Sequence, residues 1–121
     1  MRITTAASQV MEALWARSPW TADEIVAEVR GREQWGEATV KTLIHRLLKK
    51  KAIRSAREAG RHQYHPLIQR ADYVQAESKG LVDRLFGGEV APMVAHFAEH
   101  KALTPKDIQL LKKLIADLED E

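Results

Sequence analysis

Between Gly36 and Pro66 the chain runs GEATVKTLIHRLLKKKAIRSAREAGRHQYHP, and this stretch decides the fold. Val40, Leu43, Ile44, Leu47 and Leu48 recur at the i, i+3, i+4, i+7, i+8 spacing of one buried helical stripe. Ala38, Lys41, Thr42, His45, Arg46 and Lys49 then fall on the opposite side, away from any core. Between Lys41 and Arg61 stand eight Lys or Arg (Lys41, Arg46, Lys49, Lys50, Lys51, Arg54, Arg57, Arg61) against one acid, Glu58. Strand-forming residues follow the helix from Ile53 to Arg57 and again from His62 to Pro66, with a turn at Ala59-Gly60. A polar, basic helix face followed by a basic hairpin is the form of a recognition helix and a wing, and its charge suits a polyanion.

Working outward, residues 5–17 predict a first helix with Ala6, Val10, Ala13 and Leu14 on one side and Met11 beside them, ended by Ser18-Pro19. Thr21-Ala22-Asp23-Glu24 predicts a capping box that opens a second helix over about 22–30, stopped by Gly31. Helix, helix, helix, hairpin is the order of a winged helix-turn-helix. Trp15, Trp20 and Trp35 are expected to close its small core.

After Pro66 the pattern is helical throughout. Residues 69–86 carry Ala71, Val74, Leu81, Val82, Leu85 and Phe86 and close on Gly87-Gly88; residues 90–101 carry Met93, Val94 and Phe97. Thr104-Pro105-Lys106-Asp107 opens a last helix with Ile108, Leu111, Leu114, Ile115 and Leu118. So short a set of amphipathic helices has too little interior to bury its own apolar faces, and a second copy of the chain is the economical cover. The expected architecture is therefore mainly α, with a winged-helix domain over 1–67 and a helical dimerisation domain over 68–121.

At 121 residues the chain has room for one domain or one with an appendage. It contains no cysteine, so disulfides, thiolate nucleophiles and cysteine metal sites are excluded, and the cytoplasm is the expected compartment. The N-terminus lacks a signal-peptide apolar region and no run reaches 18 apolar residues, so neither export nor membrane insertion is expected. The net charge of +2 conceals an asymmetry: residues 1–67 hold 12 Lys or Arg and 7 Asp or Glu, residues 68–121 hold 7 and 10. The basic half is suited to a polyanion and the acidic half to a different role. No Gly-rich phosphate loop, no HExxH and no Ser-His-Asp order in a suitable context is present, so neither an enzyme nor a cofactor is expected.

Val10-Met11-x-x-Leu14-Trp15, the string Thr39-Val40-Lys41-Thr42-Leu43, Arg46-Leu47 with Lys49-Lys50, Gly60 with Tyr64-x-Pro66, and Glu77-Ser78 with Leu85-Phe86-x-Gly88 together resemble the BlaI/MecI/CopY repressors over nearly the whole chain. The resemblance implies a dimeric winged-helix repressor on TACA/TGTA-type inverted repeats, dimerised through its C-terminal helices. Two positions depart from the pattern. Lys51-Ala52 replaces a glycine usual after the basic helix. His96-Phe97 aligns with the Asn-Phe bond that is cut, in the penicillinase and methicillin-resistance branch, through a membrane sensor protease pathway. The copper branch binds Cu(I) through a C-terminal Cys cluster, which a chain without cysteine cannot do.

The expected partners are double-stranded operator DNA and a second copy of the chain. Two basic helices would enter successive major grooves, with Ala38, Thr39, Lys41, Thr42, His45 and Arg46 near the bases and Lys49, Lys50, Arg54, Arg57, Arg61 and His62 on phosphates. Dimerisation is assigned to Val74, Leu81, Leu85, Phe86, Val94, Phe97, Ile108, Leu111, Ile115 and Leu118. Release is expected from an antibiotic- or stress-linked signal, with His96-Phe97 as the bond to be cut. His62 and His65 point to opposite faces of one strand, against a shared metal. His96 and His100 stand at i, i+4 with Glu99 beside them, a spacing that suits a metal but lacks a third ligand, so no metal site is assigned. A metal-responsive regulator using that pair, and a winged-helix adaptor for protein, are the alternative readings.

Overall fold

The computed structural model describes residues 2–120, which form two compact units, one ending at Val74 and one beginning at Gln75. The first holds α1 (Thr5–Ala16), β1 (Trp20–Thr21), α2 (Ala22–Arg30), α3 (Glu37–Lys49), β2 (Ile53–Glu58) and β3 (Arg61–Pro66). Thr4 caps α1 by accepting from the Ala7 N–H. The capping box at α2 is complete: the Glu24 N–H donates to Thr21 Oγ1 at 3.2 Å, and the Thr21 N–H donates to Glu24 Oε1 at 2.9 Å. The helical stripes meet as their spacing requires. Val10, Met11 and Leu14 of α1, Ile25 and Val29 of α2, and Val40, Leu43, Ile44 and Leu47 of α3 are buried in one core with Ile3, Ala52 and Ile53. Each of the Val, Leu, Ile and Met side chains contributes about 1.5–3 kcal/mol by leaving water.

Trp20 is buried in this core, whereas Trp15 and Trp35 pack half-buried at its edge. Trp15 also acts as a latch. Its indole N–H donates to the Ile68 carbonyl at 2.9 Å, and its ring lies 5.3 Å from that of Tyr73. Arg70 also pairs with Glu12 at 3.2 Å. These three contacts carry the first unit beyond the 67/68 boundary expected from the sequence, into the first turn of α4 (Arg70–Phe86).

The wing is part of a three-stranded antiparallel sheet of order β1-β3-β2. Two residues of β1 pair with β3, Trp20 opposite Tyr64 and Thr21 opposite Gln63, a strand too short to show any period in the sequence. Ala59 and Gly60 both adopt positive φ (53° and 76°), closing a two-residue turn matched to the twist of the hairpin.

Lys51, in the Lys51-Ala52 pair that departs from the resemblance, takes the left-handed conformation, with φ of 61°. Its N–H donates to the Leu48 carbonyl and that of Ala52 to the Leu47 carbonyl, both at 3.0 Å. These are the two bonds of a Schellman ending, and Ala52 and Leu47 are both buried beneath it. The turn into the wing is thus the glycine-type turn, made with a lysine.

The second unit contains the rest of α4, then α5 (Val90–Glu99) and α6 (Pro105–Glu119), the last opened by a capping box between Thr104 and Asp107. None of the described residues of α4, α5 or α6 is fully buried.

Candidate nucleic-acid interface

The core stripe of α3 fixes which side chains are left outside. Ala38, Thr39, Lys41, Thr42, His45, Arg46 and Lys49 are all exposed, as expected from the spacing. Two are already engaged within the helix. The Thr42 hydroxyl donates to the Ala38 carbonyl at 2.9 Å. The Lys41 ammonium donates to Glu37 Oε1 at 3.0 Å, one turn toward the N-terminus. This pair shifts both titrations. The Lys41 hydrogen bond and charge hold the Glu37 carboxyl below its usual range, and Glu37 in return raises the Lys41 ammonium.

Lys41 and His45 also line a hollow of about 280 Å³ with Ala22, Ile44, Leu48 and Tyr64, between α3, the start of α2 and β3. In the sequence Tyr64 stood out only as part of a family motif. The alternation of β3 places it on the same hairpin face as His62.

The wing distributes its charges over two faces. Across β2 and β3, Arg54 stands opposite His65, Arg57 opposite His62 and Glu58 opposite Arg61. Successive pairs alternate, so Arg54 and Arg61 belong to one face, and Arg57 and His62 to the other. The only acid of the hairpin is occupied: Glu58 Oε1 bonds to His65 Nε2. Arg61 and His62 share a hollow with Thr21, Ala22, Asp23 and Glu24 at the start of α2. There the Glu24 carboxyl is held below its usual range by hydrogen bonds from the Thr21 backbone and hydroxyl, helped by the charges of Arg17 and Arg61. Lys50 differs from the other assigned phosphate contacts, because its ammonium donates to the Arg2 carbonyl at 2.8 Å.

In the second unit Val74 precedes the division, while Leu81, Leu85, Phe97, Ile108, Ile115 and Leu118 are exposed and Phe86, Val94 and Leu111 half-buried. Val90, Leu110 and Leu114 are exposed as well; the sequence pattern placed Leu114 on the apolar stripe of the last helix but singled out neither Val90 nor Leu110. His96-Phe97 lies inside α5, a regular helix, with the His96 ring 5.9 Å from Phe86 and 4.4 Å from His100. His100 Nδ1 hydrogen-bonds to the His96 carbonyl at 2.9 Å. Among the described residues no three His, Asp or Glu are grouped to hold a metal ion. No helix among them is long and apolar enough to cross a membrane.

Residues 3–117 match the family described as penicillinase repressor. The chain is 28% identical to the penicillinase repressor of Bacillus licheniformis over 116 residues, covering 96% of this chain and 91% of that one. It is 29% identical to the Staphylococcus aureus penicillinase repressor, covering 98% and 94%. Among solved structures, the Bacillus licheniformis BlaI monomeric form in complex with the blaP half-operator matches with a TM-score of 0.55 and 30% identity, over 60% of this chain and 89% of that one. The DNA-binding domain of the repressor BlaI matches with a TM-score of 0.54, also at 30% identity, over 60% and 88%.

Proposed function

The chain belongs to the penicillinase repressor family, DNA-binding transcriptional repressors rather than enzymes, and on that premise we propose that it acts as a homodimer on an inverted-repeat operator of TACA/TGTA type. The observation that carries the reading is the exposed basic face of α3 beside a basic hairpin, on a fold shared with a relative solved on its half-operator. Residues 1–67 bind DNA. In each half-site α3 enters the major groove, with Ala38, Thr39, Lys41, Thr42, His45 and Arg46 toward base edges. Lys49, Lys50, Arg54, Arg57, Arg61 and His62 meet phosphates, which fix register without reading sequence.

Residues 68–121 supply the apolar surface that a second copy covers, so both half-sites are held together and the promoter is occluded. Release follows loss of that surface, when a cut at His96-Phe97 in response to an antibiotic-linked signal severs α6 from the rest of the dimerisation region. Because the bond lies within α5, the helix must open locally before any protease takes it.

The test is a salt series on the full-length chain with an inverted-repeat duplex. If at least three of the six side chains assigned to phosphates in each subunit neutralise one at once, log K falls against log salt with a slope of about −5 or steeper. A slope shallower than about −2 would show that the hairpin does not bind the backbone as assigned.

A further inference from the structure

One acid stands at the leading end of a helix face that is otherwise polar and basic. Glu37 is the first residue of α3, after a Gly36 N-cap that offers no side-chain cap. Glu37, Lys41 and His45 follow one another at i, i+4 and i+8, so they form a single row along the helix. Lys41, the middle member, is held by Glu37 at 3.0 Å and also lines the hollow shared with His45 and Tyr64. Left to itself a lysine is a mobile point charge on a flexible stem, and on DNA such a charge is drawn to the nearest phosphate. A carboxylate beside it opposes that choice, because it repels phosphate and offers the ammonium an anchor at the end of the helix that meets base edges.

We propose that Glu37 is a specificity-determining positioning residue, which holds Lys41 on base edges and away from the phosphate backbone. The assignment rests on the DNA-binding reading above. Glu37 weakens binding to DNA in general and weakens it least on the correct sequence, where the aimed Lys41 finds a base acceptor; specificity is that difference. A helix-stabilising ion pair with no role in recognition would have the same geometry, so the test must read something the ion pair alone does not move.

The probes are the duplex that the full-length parent chain itself selects from a randomised pool, and a shuffled duplex of the same composition. Glu37→Gln keeps the shape of the side chain and removes its charge. The expected result is tighter binding to the shuffled duplex and a selected-to-shuffled affinity ratio lower by about tenfold, the scale of one misplaced base contact. On the shuffled duplex the slope of log K against log salt steepens by about one per subunit, as Lys41 becomes free to neutralise a phosphate. In a Lys41→Gln background Glu37→Gln changes neither the ratio nor the slope. An unchanged ratio and slope in Glu37→Gln, with melting as in the parent, overturns the assignment, and so does an equal change in both backgrounds. A parent chain that selects no duplex and binds none in a salt-dependent way overturns the repressor reading and this assignment with it.

Discussion

At the scale of single residues, the proposed interface separates groups assigned to base edges from groups assigned to phosphates. Arg61 stands on the hairpin, away from α3, so Arg61→Ala should weaken binding to every duplex by a similar factor and make the salt slope shallower by about one per subunit. Thr42→Ala and Lys41→Ala should instead blur sequence preference, at about 1–3 kcal/mol for each lost base contact, and competition between operator and mutated operator duplexes measures the contrast. The positions on the outer face of α3 were legible because a 3.6-residue period that buries Leu43 and Leu47 leaves no choice about Lys41, Thr42 and His45. What was illegible is which cations are already engaged. The tie between Lys50 and the Arg2 carbonyl joins residues 48 positions apart, and Glu37 reads as an ordinary first-turn acid until the 3.0 Å bond to Lys41 is seen.

At the scale of elements, local chemistry accounts for most of what the sequence allowed. Thr21-x-x-Glu24 and Thr104-x-x-Asp107 open helices by reciprocal bonds that involve neighbours only. The tertiary remainder lies in β1, whose two residues become a strand only because β3 passes beside them. The α2 cap also carries a pH dependence. With its folded-state pKa depressed, Glu24 adds stability that is complete above the ordinary glutamate value of 4.5 and is lost as pH falls through the folded value. Thermal unfolding followed from neutral pH downward should show this loss for the parent chain and a weaker dependence for Glu24→Gln. Thr21→Ala, which removes the acceptor for the Glu24 N–H, should cost about 1 kcal/mol at neutral pH. Equal pH profiles for parent and Glu24→Gln would show that the carboxylate contributes nothing to the cap.

At the scale of the whole molecule, the two units differ in kind. The first has a dense core and is latched through Trp15, Ile68, Arg70 and Tyr73, so a chain ending at Val74 should fold and remain monomeric, whereas one ending at Pro66 loses the latch and should melt earlier. Operator affinity of the Val74 truncation should drop by orders of magnitude in a binding titration, because the half-sites are no longer engaged together. Full-length protein sedimenting as a monomer at micromolar concentration would refute the dimer. For release, mass spectrometry of the repressor in cells exposed to a β-lactam should find chains ending at His96; an intact chain while target genes are active would exclude cleavage.

The absence of any fully buried residue among the described residues of α4, α5 and α6 has a further consequence, for how long a chain survives. An element that acquires its interior only by pairing has a folded fraction set by mass action, so dilution itself unfolds it. Below the dissociation constant, newly made chains would carry an intact N-terminal unit and a digestible tail; above it, pairing would shield that tail. Limited proteolysis across a concentration series should then show cleavage beyond Gln75 fading as protein is added, while the first unit resists throughout. Abundance would thereby set lifetime, and a cell producing too little of the protein to fill its operators would also be the cell that clears it fastest.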